Sequence, residues 1–172
     1  FGVLQHAANT IPQREAVRYG DQIWTYEALD QDAQRCAAML QRIGVVPGDR
    51  VGILLPNVPE YLIAANGIWR AGGVAVAISP LMVAEEVRKL LRNTECHHVV
   101  CLDLLSHLVG ESDVCERPIR SLLVSIRQHL PALHQLGYLW ARHSRTGSWT
   151  LPTTEHCSWF WDEIEKTQRA WQ

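Results

Sequence analysis

The chain has 172 residues, 47% of them hydrophobic and 20% charged, with 16 Lys and Arg against 18 Asp and Glu for a formal charge of −2. That composition can build the core of one ordinary domain and excludes the disordered and fibrous classes. It lacks the basic excess that phosphate-backbone binding needs, so nucleic acid is not expected as a partner. The longest apolar run, around Ile53-Leu54-Leu55, stops at Pro56-Asn57, far short of the roughly 20 apolar residues of a bilayer-spanning helix.

No basic stretch leads into an apolar one near the start, so a retained secretory signal is not expected, and a chain opening on Phe1 predicts a natural start further upstream. Cys36, Cys96, Cys101, Cys115 and Cys157 form an odd, irregular set in a chain large enough to fold without staples. A reduced cytoplasmic protein is the expectation.

Taken in chain order, Ala16-Val17-Arg18-Tyr19 and Gln22-Ile23-Trp24-Thr25 flank Gly20-Asp21 and predict a hairpin, because that pair tolerates the positive φ of a tight turn. Thr25 is a candidate N-cap for a helix whose buried face carries Leu29, Ala33, Cys36, Ala37, Leu40 and Ile43, with Gly44 closing it. Arg50 to Leu55 is a continuous apolar run, the pattern of a strand covered on both faces. Asn57-Val58-Pro59-Glu60 reads as a capping box opening a helix that runs through Arg70. Gly72-Gly73 ends it, Val74 to Ile78 is a second buried strand, and Ser79-Pro80 opens a helix carrying Val83, Val87, Leu90 and Leu91 on one side.

Val99 to Leu102 is a third strand, and Leu122 to Ser125 extends the same sheet. The alternation predicts an α/β fold: an open, mostly parallel sheet with helices on both faces. Residues 1–125 form this unit. Residues 126–172 read as a Trp-rich, irregular extension with one short helix near Ser158 to Lys166, and they hold Trp140, Trp149, Trp159, Trp161 and Trp171.

Ligands of open parallel sheets sit at the carboxyl ends of strands, which points to the loops at Leu55-Pro56-Asn57 and Ser79-Pro80-Leu81. Neither loop has a glycine cradle, and Gly72-Gly73 lies between a helix and a strand, the wrong order for a phosphate loop. Cys96, His98, Cys101 and His107 lack zinc-knuckle spacing and read as core thiols with boundary imidazoles, so no metal site is assigned. Glu85 and Glu86 suit the first turn of a helix. His129, His134, His143 and His156 have no Ser or Cys in a nucleophile context, and no catalytic residue is assigned.

The order of segments resembles a family. Tyr19-Gly20-Asp21, Trp24-Thr25-Tyr26-Glu27-Ala28-Leu29, Gly44 through Val51, Leu55-Pro56-Asn57-Val58-Pro59-Glu60-Tyr61 and Ala71-Gly72-Gly73-Val74, followed by Ser79-Pro80, are similar to the opening of the adenylate-forming acyl-CoA synthetases. The stretch from Arg117 through Pro131 to Trp159-Phe160-Trp161 is similar in layout to the long-chain fatty acid–CoA ligases.

The resemblance implies a parent enzyme using ATP, Mg and coenzyme A on a fatty acid. It also implies that the Pro-Lys-Gly phosphate loop, the Tyr-Gly-x-Thr-Glu segment, the Thr-Gly-Asp ribose contact and a swinging-domain lysine lie further along, since none is in this sequence. Thr146-Gly147-Ser148 does not continue into such a loop. The chain is therefore expected to be an N-terminal part, inactive alone, with no cofactor bound and with the remaining ligase subdomains as partners. Ser79, Pro80 and Leu81 would stand beside the acyl or coenzyme A end of the substrate. The aromatic later segment would face missing protein, or pair with a second copy as a homodimer. The competing expectation is a catalytically dead homologue that serves as an interaction module.

Overall fold

The computed structural model describes residues 2–109, 118–151, 153–154 and 156–169. Helix α1 (Gly2–Thr10) precedes a hairpin of β1 (Glu15–Tyr19) and β2 (Gln22–Thr25), which turns at Gly20 with φ +59°. Tyr19 pairs with Gln22, so the hairpin closes on the two residues expected of it.

Helix α2 (Tyr26–Arg42) begins where the Thr25 hydroxyl accepts from Ala28 N–H at 3.2 Å, and Gly44 follows its end at φ +101°. Strand β3 (Arg50–Leu54), helix α3 (Pro59–Arg70), strand β4 (Val74–Ala77), helix α4 (Ala84–Asn93) and strand β5 (His98–Leu102) follow. After β5 come a 3-10 turn (Asp103–Leu105), the short α5 (Ser106–Val109), β6 (Arg120–Val124), a second 3-10 turn (Arg127–His129), α6 (Ala132–Thr146), β7 (Cys157–Trp159) and α7 (Phe160–Arg169).

The five longer-range strands form one parallel sheet in the order β4-β3-β5-β6-β7. Helices cover both faces, as parallel strands require. Helix α4 packs where Gly52 leaves room: a Cβ there would sit 3.0 to 3.3 Å from Ile78, Val99 and Leu91. On the other face α2 packs against α3 and α7.

Helix α7 is held by Glu163, whose buried carboxylate accepts from Arg42 of α2 and from Lys166 at 2.7 Å, with Arg120 of β6 3.7 Å away. Thr167 adds a hydroxyl that accepts from Arg42 at 2.8 Å. Burial pushes the Glu163 carboxyl up, but the bonds and charges of Lys166 and Arg42 outweigh it and hold it below the usual range.

Three sequence expectations change here. The extension beyond residue 125 is not irregular: it holds a 15-residue helix, α6, and a strand, β7, that pairs with β6. The helical period of α6 is masked because its outer positions, Leu136 and Trp140, are themselves apolar. The helix expected from Ser79-Pro80 starts at Ala84, and Val83, expected inside, is 61% exposed as its cap. Glu86 instead closes that cap by accepting from Val83 N–H at 3.1 Å. The cap of α3 is Val58 without a side-chain bond, because Pro59 takes the first helical position.

Cys36, Cys96 and Cys101 are buried and Cys157 is half-buried, all free thiols. Cys115 and Trp171 lie outside the described residues. Burial pushes the Cys36 and Cys101 thiols up, so these are inert core groups.

Helices α2 and α3 approach closely at Gly67 of α3, where a Cβ would fall 2.5 Å from Cys36 Sγ of α2 and 3.2 Å from Ala33 O. Gly67→Ala should therefore destabilise the chain by about 1–3 kcal/mol despite the better helix propensity of alanine, read as a lower urea midpoint at unchanged slope. For Glu163, a folded-state pKa below the unfolded value adds stability that is present above the unfolded carboxyl pKa and is lost as pH falls through the folded one. The stability of Glu163→Gln should accordingly converge on that of the parent chain under acid, and a constant gap down to the folded-state pKa and below would refute the assignment.

Candidate functional site

The parallel strands bring five loop starts to one edge: Leu55-Pro56-Asn57 after β3, Ser79-Pro80 after β4, Asp103 after β5, Ser125 after β6 and Phe160 after β7. Two carboxylates with no exposed surface stand there, Glu60 and Asp103.

Glu60 sits in the first turn of α3, where the helix N-terminus favours a negative side chain. Its Oε1 meets His129 Nε2 at 3.0 Å and accepts from Trp161 Nε1–H at 3.3 Å, while Oε2 has no partner among the described residues. His129 Nδ1 lies 2.6 Å from Gln22 Oε1 of β2, and the ring stands edge-to-face with Tyr19 at 5.5 Å and Trp24 at 5.9 Å. One imidazole thus joins the hairpin to the start of α3, and the same carboxylate reaches α7. Asp32 on α2 is pushed up by burial, and the Glu60 charge adds to the effect.

Asp103 accepts from Leu104 N–H at 2.9 Å and from the Tyr138 hydroxyl through Oδ1, and from Arg142 at 3.3 Å through Oδ2. Arg142 also donates to Trp149 O. This cluster fastens α6 to the end of β5. Burial and the neighbouring Asp103 charge push the Tyr138 hydroxyl well above its usual range, so it stays a donor.

Beside these clusters, at the ends of β6 and β7, opens a cleft of about 490 Å³ lined by Ser125, Arg127, Gln135, Arg142 and Trp159. Another of about 480 Å³ lies against β6 and β7 and includes Ser106, His107, Ser121, His156 and Cys157. Ser79, Pro80 and Leu81 line neither. They follow β4, the outermost strand at the opposite side of the sheet, with Leu81 92% exposed and the Ser79 hydroxyl accepting from Leu81 N–H at 3.3 Å.

Sequence reasoning assigned Glu60 to a cap, and His129 and Arg142 to nothing. Their partners are 69 and 39 residues away, beyond the reach of any local sequence pattern. Among the described residues no group of three or more His, Cys, Asp and Glu has the arrangement to hold a metal ion.

Comparison with known proteins gives this edge its context. Residues 4–153 match the family model described as AMP-binding enzyme. The chain belongs to that family of adenylate-forming ligases. A long-chain-fatty-acid–CoA ligase of Bacillus subtilis (strain 168) is 30% identical over 129 residues, which are 75% of this chain and 23% of that ligase. Gramicidin S synthase 2 of Brevibacillus brevis is 28% identical over 114 residues, 66% of this chain and 3% of that protein.

In fold, the chain is similar to the anthranilate CoA ligase AuaEII, at a TM-score of 0.72 and 18% identity over 95% of this chain and 27% of that one. Coronafacic acid ligase from Pectobacterium brasiliense gives a TM-score of 0.73 at 17% identity over 95% and 28%. The chain thus spans about a quarter of the length of the ligases it matches.

Removing the imidazole leaves the Glu60 carboxylate buried with one indole bond. His129→Ala should cost about 3–5 kcal/mol, and Glu60→Gln, which keeps a hydrogen-bonding side chain without the charge, clearly less. Chemical unfolding of the two variants checks the order, and equal small losses would show that the contact does not anchor the hairpin to α3.

Proposed function

We propose that this chain is the N-terminal part of an ATP-dependent fatty acid–CoA ligase. In the parent reaction the fatty acid carboxylate attacks the α-phosphorus of ATP, expelling pyrophosphate and forming an acyl-adenylate. The coenzyme A thiol then attacks the acyl carbon and releases AMP. The observation that carries this reading is the 30% identity to the Bacillus subtilis ligase across three quarters of the chain, joined to the family match over residues 4–153. The match to gramicidin S synthase 2 favours a second reading, in which the acid activated is an amino acid.

In this reading the chain supplies one wall of the active-site edge, its later segment closing the same sheet through β7 and α7 before the chain leads toward the nucleotide loop. Ser79, Pro80 and Leu81 stand beside the acyl or coenzyme A end of the substrate, held at the carboxyl end of β4. ATP and Mg take their main contacts from residues beyond this sequence, since no Pro-Lys-Gly loop is in it. The isolated chain should therefore give pyrophosphate exchange at background with ATP and a panel of fatty acids. Exchange that depends on the purified chain would overturn the partial-enzyme reading.

Leu136, Trp140 and Trp149 are 68%, 67% and 54% exposed along α6 and the turn after it. In the parent, the following ligase subdomains would cover this stripe. In the isolated chain, and in the alternative of a free-standing interaction module, a second copy would cover it through a symmetric contact. Sedimentation across the micromolar range should show association that weakens in Trp140→Ser, and a strict monomer would remove the homodimer. Trp161 does not belong to that stripe: it is turned in toward Glu60.

A further inference from the structure

On one face of the sheet, Gly52, Val99, Ser121 and Cys157 stand in register across β3, β5, β6 and β7. Leu91 of α4 and the Val99 side chain fill the space that Gly52 leaves in the first half of that row. Over the second half, where Ser121 and Cys157 carry small side chains, opens the cleft of about 480 Å³. It reaches from Ile119 ahead of β6 to His107 of α5, so it runs along the sheet face, and neither buried acid, Glu60 or Asp103, lines it.

The lining has two parts. Ile119, Leu123 and Leu151 give it an apolar wall, while Ser121, Thr154, His107 and His156 bring polar side chains that make no hydrogen bond with another described residue. The Ser106 and Thr146 hydroxyls donate to Asp103 O at 2.9 Å and Arg142 O at 2.8 Å, which leaves them lone pairs to accept with. Burial pushes the Cys157 thiol up, so it stays protonated. No Asp, Glu, Lys or Arg is among the described lining residues. An apolar body with a few convergent polar groups is the usual form of a small-molecule site.

We propose that this cleft binds an uncharged compound with an apolar body and a hydroxyl group, of the phenol type. A hydroxyl both donates and accepts, which matches a lining of hydroxyls and imidazoles able to do either. An anion brought onto the floor would lose its water without gaining a guanidinium or ammonium partner, and a cation would find no carboxylate. The ring lies on the floor of Ser121, Leu123 and Cys157, where a thiol makes a favourable aromatic contact, and its hydroxyl meets His156 beside Cys157. The inference uses only the side chains of this face and stands independently of the ligase reading.

The test is an NMR titration of the full chain at neutral pH that follows the methyl signals of Leu123 and Leu151 and the ring signals of His156. Naphthol, its methyl ether and the corresponding naphthoate are added in separate arms. Naphthol should shift all these signals saturably. Naphthoate, the same ring with a charge, and the ether, the same ring without the donor, should each bind at least about fivefold more weakly. Ser121→Leu, which fills the floor, should abolish binding in a chain that still melts cooperatively. His156→Ala, on an exposed side chain, keeps the fold should Ser121→Leu lose it, and it should narrow the gap between naphthol and the ether. No saturable shift, naphthoate or the ether binding as tightly as naphthol, unchanged binding in a folded Ser121→Leu, or an unchanged gap in His156→Ala would each overturn the assignment.

Discussion

A carboxylate that has lost all contact with water must be paired, and in this chain that obligation falls on Glu60. It lies at the start of α3 with no exposed surface, and the groups that satisfy it come from His129 and Trp161. Because His129 also bonds Gln22, one charge binds the hairpin, the central helix, the turn after β6 and the last helix into a common arrangement. Asp103 does the same for α6 through Tyr138 and Arg142. The two buried acids explain how connections of little regular structure hold the carboxyl edge of the sheet in shape.

The sheet itself was legible. Arg50 to Leu55 announced a strand covered on both faces, and Val99 to Leu102 and Leu122 to Ser125 announced its neighbours. Val74 to Ile78, expected as a buried strand, is instead the edge strand β4 with Val74 49% exposed. Thr25, Gly20 and Gly44 take the caps and turns their chemistry favours. Gly72 and Gly73 likewise serve packing, Gly72 with φ +85° against Pro47 and Gly73 against Ile68. What escaped notice depends on long-range burial. Helix α6 hides its period behind exposed apolar residues, β7 is three residues long, and the cap role expected of Glu60 gave way to pairing with a histidine 69 residues along. No local pattern encodes a buried carboxylate–imidazole contact of that separation.

The likeness to ligases at 17–18% identity fits this picture, since what must persist is coverage of a parallel sheet on both faces. Gly52 on β3 and Gly67 on α3 mark close approaches to α4 and α2, and such contacts restrict volume without dictating surface chemistry. The carboxyl edge is different in kind. Its buried acids are bound by named partners, and Glu60 Oε2 and Arg142 Nε are among the buried atoms that have none among the described residues.

Through Glu60 and Asp103, the later segment is tied into the same cooperative unit as the first three strands of the sheet. Native-state hydrogen exchange tests this most directly, by comparing amides of Ile53 and Val100 with those of Leu123 and Ile164. Their opening free energies should agree within about 0.5 kcal/mol and respond together to denaturant. Amides of α7 opening at a free energy lower by several kcal/mol, while β3 and β5 stay protected, would contradict it.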